Sequence, residues 1–231
     1  MTTPLVLLTA ARELPPDDDW LRPAEHANLR CLRWPERRRD FRLGRFAAKR
    51  ALALFTGCDG ALARRRFEVR PAPGGAPQAF RDEAPLAVAL SLSHSDGWAS
   101  AAVQRGTGPL GCDLERIAAR SPAFLEGYLT SNEREFVGKG PESERPLRAT
   151  LVWSAKEAVM KALGEGLRLA PASVEVVPAT DPVSGAGWRR FSVSSPYCAA
   201  GLQGFWRAVR DFVLTVAGGP DEPRLAGNPG L

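Results

Sequence analysis

Hydrophobic and polar positions follow two different periods along this chain, and each period predicts one kind of element. Between Pro35 and Phe55 apolar residues recur every three or four positions, as in an amphipathic helix, and Gly57 is a natural terminator. Residues 147–163 (LRATLVWSAKEAVMKAL) predict a second long helix. Residues 85–95 and 97–106 are β-like runs around an Asp96-Gly97 turn, which predicts a hairpin.

The two halves of the chain show these elements in the same order. Each has a long helix, a short extended segment (FEV at 67–69, VEV at 174–176), a Pro/Gly turn and further strands. This order predicts an α+β fold of two similar lobes related by an approximate two-fold axis. Each lobe would be a small antiparallel sheet packed against a long helix.

The Gly/Pro joint at 106–110 (GTGPL) sets the expected boundary between the lobes. The N-terminal lobe, 1–108, would hold the first helix and the SHS strand. The C-terminal lobe, 109–219, would hold the GCDLERI strand and the WSAKE helix, and residues 220–231 would be a disordered tail.

Basic residues form one stripe on the first predicted helix, at Arg38, Arg42, Arg45 and Lys49. A solvated face, a nucleic-acid surface and a polyphosphate site all fit this pattern. The net charge of +5 agrees with an acidic partner of any kind. Aromatic residues do not interleave with the stripe and no RNA- or DNA-binding motif is present, so nucleic acid is disfavoured.

Cysteine and histidine are too sparse to build a zinc site. The four cysteines form no CxxC pair and there are two histidines, so a metal site would use oxygen ligands and hold Mg²⁺, Ca²⁺ or Mn²⁺. No apolar run reaches the roughly 18 residues of a membrane span. The N-terminus lacks the basic region of a secretory signal, so we expect a cytoplasmic protein without membrane contacts.

Two acids, Asp113 and Glu115, stand one residue apart in the predicted strand GCDLERI and therefore point to one side. They form either a solvated face paired with arginines or, with a third carboxylate, a binding site for Mg²⁺. Without a cation, such charges repel by roughly 1–4 kcal/mol per pair. Glu157 and Lys161, four apart on the second helix, form either a surface ion pair or part of such a site.

Ser93 and His94 are neighbours on a predicted strand, so they point to opposite faces and do not form a nucleophile–base pair. No GxSxG elbow is present. The pair either donates hydrogen bonds to an anion or belongs to a structural turn.

Three motifs in this order and spacing resemble a known family: SLSHSDGW at 91–98, GCDLERI at 111–117 and WSAKEAVMKALGEGL at 153–167. They are similar to the 4′-phosphopantetheinyl transferases of the large, pseudodimeric surfactin-synthetase-activating type. RRDFRLGRFAAKRAL at 38–52 looks like the first helix of that family, and RPAPGGAP at 70–77 like its loop before the SHS strand. The resemblance runs from about Pro23 to Leu169.

The resemblance implies transfer of the phosphopantetheine arm of coenzyme A, the substrate, to a serine of an apo carrier protein, with release of 3′,5′-ADP. Asp113, Glu115 and Glu157 would hold Mg²⁺, or Mn²⁺, against the coenzyme A pyrophosphate. Glu157 would also be the general base, and Lys161 would neutralise charge on the leaving phosphate.

Further residues would bind coenzyme A. Arg45, Ser93 and His94 would hold its phosphates, together with Lys161 and, through the metal, Asp113. The family often has a lysine where this chain has Ala76, and Arg70 would supply that charge. Glu133 lies where the family has a further acid near the metal.

The resemblance also implies a monomer whose partners are apo acyl or peptidyl carrier proteins. The size of the chain favours polyketide or nonribosomal peptide pathways, by analogy. Two alternative functions stay open. One is another Mg²⁺-dependent phosphoryl-transfer enzyme, although no P-loop motif is present. The other is a basic module that binds nucleic acid.

Overall fold

The computed structural model of the chain describes residues 3–58, 60–165, 168–179, 187–198 and 201–227. These residues form two compact units. Unit 1 comprises the stretch up to Gly108 and the segment from Arg224 onward, and unit 2 runs from Pro109 to Pro223. None of the described helices combines the length and the apolar character needed to cross a membrane.

Unit 1 begins with a strand, continues with two helices and ends with a run of strands. Its elements in chain order are β1 (Leu5–Ala10), α1 (Pro23–Cys31), α2 (Pro35–Phe55), β2 (Phe67–Pro71), β3 (Pro77–Arg81), β4 (Ala84–Pro85), β5 (Val88–Ser95) and β6 (Trp98–Arg105). β2, β3 and β4 form one antiparallel sheet. α2 covers the core, with Leu43, Ala47 and Leu52 packed among buried residues of β1, β2 and β6.

Within its described residues, unit 2 begins with a strand, continues with three helices and ends with four strands, and its five strands form one sheet. Its elements are β7 (Gly111–Arg116), α3 (Pro122–Tyr128), α4 (Ser131–Gly138), α5 (Arg145–Ala162), β8 (Glu175–Pro178), β9 (Arg189–Ser194), β10 (Gln203–Val209) and β11 (Phe212–Gly218). The sheet order is β7-β11-β10-β9-β8, with each neighbouring pair antiparallel. α5 packs on the sheet through Ala155, Ala158 and Val159.

The predicted long helices and the hairpin are confirmed. α2 spans the residues that the periodicity indicated, and its first residue is a proline, which suits the first helical position. β5 and β6 pair directly, and Asp96 and Gly97 both adopt positive φ, as a tight type I′ turn requires.

The expected disorder of the tail is wrong for part of it. Strand β12 (Arg224–Ala226) pairs in parallel with β1 and completes the sheet β12-β1-β6-β5. The backbone N–H of Arg224 also donates to the carbonyl of Pro4 at 2.8 Å. The strand is only three residues long, so its sequence has no periodicity to reveal it. Residues 228–231 lie outside the described part of the chain.

The basic stripe of α2 is largely internal. Lys49 is fully buried and its ammonium group lies 2.5 Å from the Glu25 carboxylate, while it also donates to the carbonyl of Trp20 at 2.7 Å. Arg42 pairs with Asp18 at 2.6 Å. The stripe is therefore not an open charged surface, because Arg38, Arg42 and Lys49 all contact other parts of unit 1.

Gly111 allows α5 to lie directly on β7. A Cβ atom at this position would come within 1.8 Å of the carbonyl oxygen of Ala158 and 2.7 Å of the backbone nitrogen of Ala162. Both are backbone atoms of the helix, so no side-chain movement can relieve the clash. The glycine therefore fixes the spacing between the strand and the helix.

We expect Gly111→Ala to lower the free energy of unfolding by about 2–3 kcal/mol, because the methyl group overpacks this contact. Gly44→Ala is the matched control: Gly44 lies inside α2 and an added Cβ meets nothing within 4 Å, so it should be neutral or stabilise by up to about 1 kcal/mol. Chemical denaturation of both variants measures the difference. Equal stabilities would contradict the close approach of α5 to Gly111.

Candidate active site

Asp113 and Glu115 lie on the face of β7 that α5 covers. Both residues fall inside the strand, where they are paired with Thr215 and Val213 of β11. Side chains of α5 reach both carboxylates. The prediction that the two acids share one side of a strand is therefore confirmed.

Asp113 is buried and paired with Lys161. Nζ of Lys161 lies 2.7 Å from Oδ1 of Asp113 and also donates to the carbonyl of Cys112 at 3.2 Å. Burial acts to lower the pKa of Lys161, but Asp113 outweighs it, with help from Glu157, and the pKa is raised. Lys161 therefore stays a cation at the end of α5 next to these acids.

Glu115 is held by two donors. The indole Nε1 of Trp153 donates to its Oε1 at 3.2 Å, and Nη2 of Arg120 donates to its Oε2 at 3.1 Å. Burial and the neighbouring Asp113 raise the pKa of Glu115, although Arg120 and Trp153 oppose them. The charged form is thus disfavoured even with both donors in place.

Glu157 is the third acid of the group. Burial is the largest cause that raises the pKa of Glu157. The charges of Asp113 and Glu115 raise this pKa further, whereas the charge of Lys161 lowers it. Trp153 and Lys161, one helical turn before and after Glu157, contact Glu115 and Asp113 respectively. Glu157 therefore lies on the face of α5 that is turned toward the two acids of β7.

The donor set of this group fits a hard divalent cation. Three carboxylates offer oxygen ligands, and burial together with the neighbouring acids raises the pKa values of Glu115 and Glu157, so Mg²⁺ or Mn²⁺ would offset their negative charge. Within the described ranges, no group of three or more Asp, Glu, His or Cys residues has the geometry of a formed metal site. Asp113 and Glu115 instead engage Lys161 and Arg120.

Glu133 lies in the core of unit 2 and does not join the three acids. Its Oε2 lies 2.6 Å from Nζ of Lys156 and accepts from the backbone of Thr130, and its Oε1 accepts from the backbone of Val176 at 2.9 Å. Both carboxylate oxygens of Glu133 therefore make contacts that stabilise unit 2. The family-based expectation of a further acid near the metal is therefore not supported by these contacts.

The two basic residues predicted to bind phosphate in unit 1 stack on aromatic rings. The guanidinium group of Arg45 lies 4.6 Å from the ring centroid of Phe41, and burial lowers its pKa while Glu25 opposes this. Arg70 lies 4.3 Å from the ring centroid of Phe80 and donates through Nε to Glu68 at 2.8 Å. Each has at least one partner within unit 1.

Ser93 and His94 lie at the end of β5, close to the tight turn. The Ser93 residue is buried, whereas the His94 side chain is 45% exposed and its Nδ1 lies 3.9 Å from Oδ2 of Asp40. The alternation of the strand excludes a direct serine–histidine pair, as predicted.

Sequence reasoning missed Trp153 and Arg120 as partners of Glu115. Trp153 precedes Glu157 by one helical turn, and its position on that face of α5 was the available signal. Its ring packs edge-on against Phe124 and Tyr128, with centroids 5.1 Å away in each case. Arg120 follows β7 in an irregular segment, so no periodicity pointed to it.

A family model matches the part of the chain that contains these residues. Residues 109–217 match the model of the 4′-phosphopantetheinyl transferase superfamily, a stretch that includes all three acids and Lys161. The chain is 28% identical over 161 residues to the 4′-phosphopantetheinyl transferase HetI of a Nostoc species, covering 68% of this chain and 65% of that protein. It is 31% identical over 78 residues to the 4′-phosphopantetheinyl transferase psf-1 of Bacillus pumilus, covering 34% and 33%.

We predict that Glu157→Gln stabilises the metal-free protein at neutral pH. Because the pKa of Glu157 is raised on folding, its ionisation costs more in the folded state, and stability falls as pH rises through that window. Removing the charge should raise Tm by about 1–3 °C. Thermal melts in the presence of a chelator measure this shift.

Glu135→Gln is the control for this measurement. Glu135 is exposed on α4 and pairs with Lys139 at 2.8 Å, which lowers its pKa, so its removal should give no gain in Tm. An unchanged or lowered Tm in Glu157→Gln would contradict the crowding of the three carboxylates.

Proposed function

We propose that this chain is a 4′-phosphopantetheinyl transferase, which transfers the 4′-phosphopantetheine arm of coenzyme A to a serine hydroxyl of an apo carrier protein. The second product is 3′,5′-ADP, and the reaction requires Mg²⁺ or Mn²⁺. The observation that carries the proposal is the grouping of Asp113, Glu115 and Glu157 beside Lys161 in the region that matches the superfamily.

We assign the chain to the pseudodimeric, surfactin-synthetase-activating type as part of the same proposal. Both units begin with a strand and continue with a long helix preceded by one short helix in unit 1 and two in unit 2, and both pair their first strand with their last hairpin strand. An internal duplication with an approximate two-fold relation accounts for this order. The chain would act as a monomer, since both halves are present.

Asp113, Glu115 and Glu157 would hold the metal ion, which supplies Lewis-acid polarisation of the substrate phosphate. Glu157 would also accept the proton of the carrier serine hydroxyl, directly or through water. Carboxylates are among the side chains that act as general bases.

Lys161 would stabilise the negative charge that grows on the leaving phosphate. Its own pKa is raised, so it remains protonated and acts as a fixed positive charge. The ammonium group of Lys161 donates a hydrogen bond to Asp113, and this contact would orient Lys161 before the substrate binds.

Four residues of unit 1 would bind the coenzyme A phosphates: Arg45, Arg70, Ser93 and His94. The two arginines stack on Phe41 and Phe80, which limits their side-chain freedom before a ligand arrives. A guanidinium group has five donors, so a partner on one edge leaves others for phosphate oxygens. The carrier proteins served would belong to polyketide or nonribosomal peptide pathways.

The test is mass spectrometry of apo carrier proteins incubated with this protein, coenzyme A and Mg²⁺. We expect a covalent phosphopantetheine adduct on the carrier serine, lost when Mg²⁺ is chelated. Carriers from fatty-acid, polyketide and nonribosomal peptide systems should all be tried. No adduct on any of them would overturn the proposal.

In the same assay Glu157→Gln should lose at least about 10²-fold in rate, because it removes a proton acceptor. Glu135→Gln serves again as the control and should retain the wild-type rate. Transfer by Glu157→Gln at close to the wild-type rate would exclude Glu157 as the base.

A further inference from the structure

The two oxygens of Glu115 are bound by donors of different charge. Oε1 accepts from the neutral indole of Trp153, and Oε2 accepts from the guanidinium group of Arg120. Asp113 has a cationic partner as well, because Lys161 lies 2.7 Å from its Oδ1. Two of the three acids are thus neutralised by cations of the protein itself.

The contacts of Arg120 leave part of its guanidinium group unused. Its plane lies over the ring of Phe124, 5.1 Å from the centroid, and its side chain is 22% exposed. Its Nε is buried and has no hydrogen-bond partner among the residues that the structure describes. A cavity of about 200 Å³ adjoins it, lined also by Leu125, Arg145 and Ala149.

We propose that Arg120 is an internal counter-ion of Glu115 that a divalent cation must displace, so that Arg120 sets the metal affinity of the site. The inference rests on the metal site of the proposed function. Once displaced, the guanidinium group can turn toward the adjoining cavity.

Trp153 has the opposite effect on metal binding in this scheme. Its indole N–H is neutral, so it does not compete with a cation for charge, and a carboxylate oxygen can accept a hydrogen bond while binding a metal. It therefore keeps Glu115 oriented after Arg120 leaves. Removing Arg120 should tighten metal binding, and removing the indole N–H should weaken it.

The experiment is direct measurement of Mg²⁺ binding by calorimetry and of Mn²⁺ binding by electron paramagnetic resonance, on the full chain without coenzyme A. Arg120→Met should bind both ions about 3–10-fold more tightly, the range expected when one partly exposed ion pair no longer competes. Thermal melts establish that the variant is folded.

Arg145→Met is the matched control for the loss of charge. Arg145 lines the same cavity but pairs with Glu142 at 3.2 Å, so its removal should change metal affinity by less than about twofold. Arg120→Lys keeps the charge and should bind metal with near wild-type affinity, which provides a test even if Arg120→Met fails to fold.

Trp153→Phe tests the neutral donor, since a phenyl ring still packs against Phe124 and Tyr128. It should weaken metal binding about 3–10-fold. Trp20→Phe is its control: the Trp20 indole donates to the carbonyl of Asp17 at 3.0 Å, in unit 1, and its loss should leave metal affinity unchanged.

Weaker metal binding by Arg120→Met, or an effect equal to that of Arg145→Met, would overturn the inference. Absence of Mg²⁺ and Mn²⁺ binding in the wild type would overturn it together with the metal site. The carrier-protein assay separates these outcomes from the function. Tight metal binding by Arg120→Met without transfer to any carrier would uphold the inference and refute the transferase proposal.

Discussion

The placement of helix α5 depends on a buried ion pair between Lys156 and Glu133. Lys156 directly precedes Glu157, and its ammonium group also donates to the carbonyls of Pro171, at 3.0 Å, and Val174. Burial lowers the pKa of Lys156, and Glu133 counteracts this. Removing one partner of such a pair typically costs about 3–5 kcal/mol, because it leaves a buried charge without compensation. The rotation of α5, and with it the direction of Glu157, is thus fixed by a contact outside the acid group.

Unit 1 contains the same arrangement. Lys49 of α2 pairs with Glu25, which lies in the first turn of α1 as Glu133 does in α4, and Glu25 accepts from the backbone of Val69 as Glu133 does from Val176. Each valine follows its lysine by the same 20 residues. One buried ion pair therefore connects a short helix, a long helix and a strand in each unit, and in unit 2 the lysine of this pair directly precedes Glu157.

Much of this architecture could be predicted from local patterns, and the rest depends on tertiary partners. The bounds of α2 and the common face of Asp113 and Glu115 follow from the helical and strand periods alone. Periodicity placed Lys49 on a basic stripe but could not show that it is buried, because its partner Glu25 lies 24 residues away in the sequence. Two further features could not be predicted because their partners are also distant in the sequence. β12 pairs with β1 across 219 residues, and Trp153 donates to Glu115 across 38 residues.

We propose that α5 brings Glu157 to the acids of β7 so that all three bind one divalent cation. Anomalous diffraction at the manganese edge, from crystals of the protein grown with Mn²⁺ and coenzyme A, tests it most directly. The account predicts one Mn²⁺ bonded to carboxylate oxygens of Asp113, Glu115 and Glu157, with the side chain of Arg120 moved away from Glu115. An ion bound elsewhere in the chain, or bound without Glu157, would contradict the account.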